Sequence, residues 1–321
     1  MGVPLVDLQF SDADSELELK EKLGRNLVEA VSTVGFVYVK NSGISSESVA
    51  RVNEVTEDFF KRPSEKKRKY QRDPEQNFGY VGIEAERTDV HKPGDYKEAF
   101  DMSGDVGFSE AAHWPDDLVP GYSALVKDFM KQCKRLGLYL LELLSLGLQL
   151  EPEHNLLKCH RSILSEGNKT TLRSLYYPPL PRDMKLLDGQ LRCGEHTDYG
   201  TITLLFQDKA GGLQVKNSDG DYVDALPLED TVLINVGDML EYQTCGQLRS
   251  TMHRVVIPIS DVNLRSLRRS LVYFIYADHS TIINKPLVYK PGSPWDKVNH
   301  DPNAAPITAL EHVYRKWGAT Y

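Results

Sequence analysis

Apolar positions follow a helical period over much of the first half of the chain and a strand period over most of the second. Pro4-Leu5-Val6-Asp7-Leu8 reads as a short strand, and Ser15 stands where a cap would open a helix. Leu17, Leu19, Leu23, Leu27, Val28 and Val31 then recur at mostly helical spacing until Gly35. Phe36-Val37-Tyr38-Val39 is a β-branched and aromatic run, hence a strand, turned by Asn41-Ser42-Gly43. Residues 46–61 return to the helical pattern. Residues 72–118 are rich in Gly, Pro, Asp and His and read as irregular, with one short strand at 96–101. After Pro120, Leu125, Phe129, Cys133, Leu136, Leu140, Leu143 and Leu144 share one broad face, predicting a long helix to about residue 150; Gly137 and Gly147 weaken its continuity.

The character changes near Thr171. Short β-rich runs follow at 172–177, 191–196, 202–206, 213–216, 222–224, 231–236, 252–257 and 270–277. Gly211-Gly212, Ser218-Asp219-Gly220 and Val236-Gly237-Asp238 break them. Strands in this number without helices between them predict an antiparallel sandwich or barrel. A last helix is expected near 309–318. The fold class is therefore α+β with a mainly β core, a helical N-terminal region and one long supporting helix.

Composition narrows the function classes. A chain of 321 residues that is 40% hydrophobic can bury a large core without disulfides, and it is too apolar for intrinsic disorder. Net charge is −8, from 38 Lys and Arg against 46 Asp and Glu, which argues against a nucleic-acid or anionic-membrane partner. The basic run Lys66-Lys67-Arg68-Lys69 reads as a solvated helix end. Four scattered cysteines without a CxxC pair suit neither a disulfide scaffold nor a zinc ribbon. The first residues show no signal peptide, and Val6 stands where a myristoylation motif wants Ser or Thr. The apolar stretch 136–150 is too short and too polar to span a bilayer. A cytoplasmic protein acting on a small molecule is the expectation, with no oligomeric state implied.

Two of the nine histidines stand apart by their neighbours. His196 and Asp198 are two residues apart, so on an extended chain they face the same side and can hold one ion between them. His253, on the predicted strand 252–257, can supply a third ligand if the sandwich folds that strand across. Two histidines and a carboxylate on one face are the ligand set of non-haem Fe(II) oxygenases, although a zinc hydrolase can use the same groups. Arg268 and Ser270 share a face by the same rule. Together they make a fork for a carboxylate, such as the far end of 2-oxoglutarate, or else an ordinary surface ion-pair site. Tyr177, before Pro178-Pro179, is either a further hydrogen-bond donor or a core tyrosine.

Gly194-Glu195-His196-Thr197-Asp198-Tyr199-Gly200, Ser250-Thr251-Met252-His253-Arg254-Val255 and Arg268-Arg269-Ser270 resemble motifs of the isopenicillin N synthase-like group of Fe(II)/2-oxoglutarate-dependent dioxygenases. Gly35 to Ile44, Asp95-Tyr96-Lys97-Glu98-Ala99-Phe100 and Leu175-Tyr176-Tyr177-Pro178-Pro179 are similar to further signatures of that group. Residues 194–206 with Gly211-Gly212-Leu213-Gln214-Val215 look most like its fungal thymine dioxygenase-like members. Leu175 departs from the pattern, because many relatives carry Asn there.

The resemblance implies a double-stranded β-helix (jelly roll) at 171–280, within a core at 119–321 that forms one cooperative unit with an N-terminal region at 1–118. It implies Fe(II) on His196, Asp198 and His253, and 2-oxoglutarate held by Arg268, Ser270 and Tyr177. O2 would be consumed, succinate and CO2 released, and a C–H bond of a small molecule oxidised. Phe274, Tyr276, Tyr80 and Phe100 are expected to line the substrate pocket. Two alternatives share the motifs: an iron oxidase of the same group that works without 2-oxoglutarate, and a non-catalytic ligand-binding protein on the same fold.

Overall fold

Two β-sheets face one another, and helices cover the outer face of the larger. The computed structural model describes residues 2–9, 17–87, 94–180, 190–257, 266–288 and 305–320; the cap expected at Ser15 lies outside them. The strands are β1 (Leu5–Asp7), β2 (Phe36–Lys40), β3 (Phe78–Val81), β4 (Glu98–Ser103), β5 (Thr171–Tyr177), β6 (Cys193–His196), β7 (Ile202–Gln207), β8 (Leu213–Lys216), β9 (Tyr222–Asp224), β10 (Thr231–Val236), β11 (His253–Val255) and β12 (Arg268–Ile275). The helices are α1 (Leu17–Val34), α2 (Ser46–Phe60), α3 (Ser64–Lys67), α4 (Gly104–Gly107), α5 (Tyr122–Gly147), α6 (Asp238–Gln243) and α7 (Ala309–Thr320).

The larger sheet runs β1-β2-β10-β7-β12-β5-β4-β3 and the smaller runs β6-β11-β8-β9. All pairs are antiparallel except β1 with β2. Alternation sorts the side chains of the large sheet. Leu172, Leu204, Leu271 and Tyr273 pack with α1, α2 and α5, whereas Leu175, Tyr177, Leu205 and Val272 pack with Leu213, Val215 and Val255 of the small sheet. This two-sheet core is the jelly roll.

The supporting helix α5 is continuous over 26 residues, with both glycines inside it. A Cβ on Gly147 would collide with the backbone of Gly24 in α1, so this glycine permits a close helix crossing and does not end the helix. The front half is less purely helical than its pattern predicts. Phe36, Val37, Tyr38 and Val39 are all buried because β2 sits inside the large sheet, between β1 and β10. The region read as irregular holds β3, β4 and α4, all joined to that sheet's far edge or next to it. The basic run is only partly solvated: Lys67 is buried, donates to the Phe60 carbonyl at 2.8 Å and pairs with Glu98. Among the described residues, no helix is long and apolar enough to cross a membrane.

Candidate active site

Strand pairing brings the two singled-out histidines together. β6 and β11 are antiparallel neighbours, and His196 is the direct cross-strand partner of His253. Their ring centroids lie 4.2 Å apart. Asp198 lies just past the end of β6, in the connecting segment rather than on the strand. The start of α6 holds that segment: the Asp238 N–H donates to the Asp198 carbonyl at 2.8 Å, and the Met239 N–H donates to Gly200 at 3.0 Å. A Cβ on Gly237 would strike Gly200, so only glycine lets α6 come this close.

Each imidazole Nδ1–H donates to the carbonyl two residues before it, His196 to Gly194 at 2.8 Å and His253 to Thr251 at 3.0 Å. That leaves both Nε2 atoms facing Asp198 Oδ1, each at 3.8 Å. Asp198 Oδ2 is already occupied, accepting from Thr203 Oγ1 at 2.6 Å and Asn235 Nδ2 at 2.7 Å. Three ligand atoms therefore converge within 4.8 Å of one another, each aimed by a hydrogen bond on its other side. Burial, with repulsion from His196, pulls the His253 pKa down to about 4, so its ring is neutral near pH 7, as a metal ligand must be. Burial works against the Asp198 carboxylate, but the two imidazoles and the Asn235 and Thr203 hydrogen bonds outweigh it and hold its pKa below the usual value. Two nitrogens and one oxygen, with space beyond them, suit a divalent ion with open coordination positions.

One cavity between the sheets is lined by His196, Asp198 and His253 at one end and by Arg268, Ser270 and Tyr177 at the other. Leu205, Leu213, Val255 and Val272 form its apolar sides. Arg268 opens β12 opposite Tyr177 of β5, and its guanidinium carbon lies 4.7 Å from that ring's centroid. Its Nε donates to the Gly211 carbonyl at 2.8 Å and its Nη1 to Ser270 Oγ at 3.3 Å. All three side chains are buried. Leu175 is an apolar part of the same wall.

A second, outer cavity meets the first at His196 and Asp198. Phe274 and Tyr276 line it, with Tyr199, Trp317 and Asn77. Tyr80 and Phe100 line neither cavity. Alternation along β4 turns Phe100 toward the helices, where it packs edge-on against Phe59, while Asp101 faces the cavity. Tyr80 packs beside Phe59 and bonds Glu98. Sequence reading missed Thr203 and Asn235, although each is a polar residue of a buried strand flanked by apolar neighbours, which is the signal that finds such supports.

A family model for the non-haem dioxygenase in morphine synthesis N-terminal region matches residues 3–118, and one for the 2OG-Fe(II) oxygenase superfamily matches residues 168–277. The chain is 32% identical to the 2-oxoglutarate-Fe(II) type oxidoreductase ppzD of Metarhizium majus, over 81% of this chain and 80% of that one. It is 34% identical to the proline hydroxylase buaE of Petromyces alliaceus, over 74% and 76%. It also resembles the crystal structure of a full-length Neurospora crassa protein in complex with alpha-KG and thymine, with a TM-score of 0.82 and 30% identity, over 99% of this chain and 97% of that one. Fold, triad and relatives agree that the chain belongs to the 2OG-Fe(II) oxygenase superfamily and is an Fe(II)- and 2-oxoglutarate-dependent dioxygenase.

Proposed function

We propose that His196, Asp198 and His253 hold the ferrous ion, that Arg268 and Ser270 grip the far carboxylate of 2-oxoglutarate beside Tyr177, and that the outer cavity receives a small polar ring compound. The observation that carries this reading is the single cavity with the triad at one end and Arg268 at the other. When bound, the ferrous ion supplies the redox chemistry by which O2 and 2-oxoglutarate become succinate and CO2 as a C–H bond of the substrate is oxidised.

The remaining work belongs to the chain. The Gly194 and Thr251 carbonyls fix the tautomer of each imidazole, so Nε2 carries the lone pair. Thr203 and Asn235 saturate one oxygen of Asp198 and leave the other for the ion. Arg268 and Ser270 offer charge-assisted hydrogen bonds to the distal carboxylate. The apolar sides of the inner cavity exclude water, which strengthens those contacts.

Substrate placement falls to the outer cavity. Its aromatic members Tyr199, Phe274, Tyr276 and Trp317 suit a flat ring, and Asn77 suits a hydrogen-bonding edge. The thymine in the Neurospora crassa complex supports a planar heterocycle as the first class to try. Residues 1–118 and 119–321 act as one cooperative unit, supported by the position of β2 between β1 and β10. A cytoplasmic setting belongs to the same proposal, supported by four cysteines that form no disulfide.

The test is substrate-stimulated succinate release from Fe(II)-loaded protein, screened with pyrimidines, other heterocycles and amino-acid derivatives. Asp198→Ala is expected to bind little iron and to release no succinate. Turnover that survives this change, or survives iron chelation, would sink the assignment. Addition of 2-oxoglutarate to the anaerobic Fe(II) protein is expected to produce a new visible absorbance band.

A further inference from the structure

Two guanidinium groups share the Tyr177 ring. Arg268 lies 4.7 Å from its centroid and Arg192, just upstream of β6, lies 6.0 Å from it. Arg192 is completely buried. Its Nη2 donates to the Ser266 carbonyl at 3.1 Å, but Nε and Nη1 have no hydrogen-bond partner among the described residues. Among the described residues, no carboxylate pairs with Arg192 or with Arg268. Asp208 attracts Arg192 from a distance, yet its oxygens already accept the N–H groups of Ala210 and Arg269. Burial and the repulsion of Arg268 both draw the Arg192 pKa down, so each works against its charge.

An arginine kept only for packing normally saturates its donors, because an unpaired buried cation is costly. Here two cations that no described carboxylate bonds converge on one aromatic ring at the end of the cavity away from the triad. That arrangement is unfavourable without an anion and favourable with one. We propose that Arg192 is a positioning residue for the cosubstrate: it adds a second positive charge behind the Arg268–Ser270 grip and, with its bond to Ser266, fixes Tyr177 and the start of β12, so that the pocket selects a dianionic oxoacid. Arg192 does not line the cavity. It acts through the field it adds and through the two groups it holds. The inference rests on Arg268 being the carboxylate anchor.

The test compares Arg192→Met, Arg192→Lys and Arg268→Met with the parent chain. Calorimetry on anaerobic Fe(II)-loaded protein would measure binding of 2-oxoglutarate and of 2-oxopentanoate, which keeps the chelating end but lacks the distal carboxylate. Thermal unfolding would be followed without either ligand. Arg192→Met is expected to weaken 2-oxoglutarate binding about tenfold, the weight of one partly screened charge interaction. It should raise the KM for 2-oxoglutarate with kcat nearly unchanged and leave 2-oxopentanoate binding as it was. The unliganded variant should unfold at the same temperature or higher, since a buried unpaired charge is gone. Arg192→Lys should recover most of the lost affinity.

Overturning results are equally distinct. A lower unfolding temperature with 2-oxoglutarate affinity within twofold would make Arg192 a packing residue. A parallel loss for both oxoacids would do the same. If Arg192→Met does not fold, Arg192→Gln, which keeps a donor for Ser266 without the charge, carries the same expectations. Undiminished 2-oxoglutarate binding by Arg268→Met would mean that the anchor reading itself had failed; an anchor that depends on Arg268 but not on Arg192 would overturn this inference alone.

Discussion

Two clusters of buried charge flank the triad, and they are built on opposite plans. Where the two cavities meet, lined on both sides by Lys97 and Arg173, the cations Arg72, Lys97 and Arg173 meet Glu86, Asp95 and Asp101. Arg173 alone reaches Glu86 at 2.7 Å and Asp101 at 2.6 Å, Arg72 reaches Asp101 at 3.1 Å, and Lys97 lies 3.3 Å from Glu86 and pairs with Asp95. Burial opposes the Glu86 charge, yet the three cations hold its pKa far below the ordinary carboxylate range. Around the Tyr177 ring, Arg192 and Arg268 have no carboxylate among the described residues. The first cluster is complete within the protein and shapes a wall. The second has no acid of its own among the described residues, the feature on which the proposed anion site rests. Burial is common to both clusters; what differs is the inventory of acidic partners.

The strongest way to break this comparison is to remove a cation from the complete cluster. Arg173→Met leaves Glu86 and Asp101 with fewer positive partners, and loss of about 3–5 kcal/mol of stability is expected, as for other broken buried ion pairs. Denaturant midpoints would measure it, and a neutral result would show that the first cluster is no more self-sufficient than the second.

A third solution to burial is to stay neutral, and His160 adopts it. Its Nδ1–H donates to the Leu156 carbonyl at 2.7 Å and its Nε2 accepts from Thr201 Oγ1 at 2.9 Å. Burial draws its pKa from 6.5 to about 4. The unfolded chain binds the proton more readily, so this contribution to stability is complete above pH 6.5 and is lost as pH falls toward 4, amounting to about 3 kcal/mol. His160→Asn should flatten the pH dependence of the denaturant midpoint in that window; an unchanged slope would contradict the neutral assignment.

The smallest expected effect tests the supports of the triad. Thr203→Val removes one hydrogen bond from Asp198 while leaving Asn235 in place. Iron affinity is expected to fall about tenfold with little change in stability. Titration with a competing chelator would measure this, and unchanged affinity would mean that Asn235 alone aims the carboxylate.

Legibility in the sequence followed the length scale of the cause. Strand periodicity is local, so most strands after Thr171 and the shared face of Arg268 and Ser270 were readable. The face along β4 was not assigned from its short pattern. As a result Phe100 was expected in the pocket, whereas Asp101 is the residue that faces it. β3 was missed because its four residues, Phe-Gly-Tyr-Val, carry no alternation and gain their order from pairing with β4. Glycines within the long helix looked like interruptions because the partner that explains Gly147, Gly24 of α1, lies far away along the chain.

From its residues alone, the chain determined its mainly β class, its long helix and the residue types able to hold a divalent ion and a carboxylate. Only the tertiary structure decided that His196 stands across from His253, that Asp198 is held by α6, and that Arg192 comes to the Tyr177 ring with no acid bonded to it among the described residues. The reason is physical. A residue's periodicity is set by its neighbours in sequence, but its hydrogen-bond and charge partners come from strands that meet only after the sheets have closed.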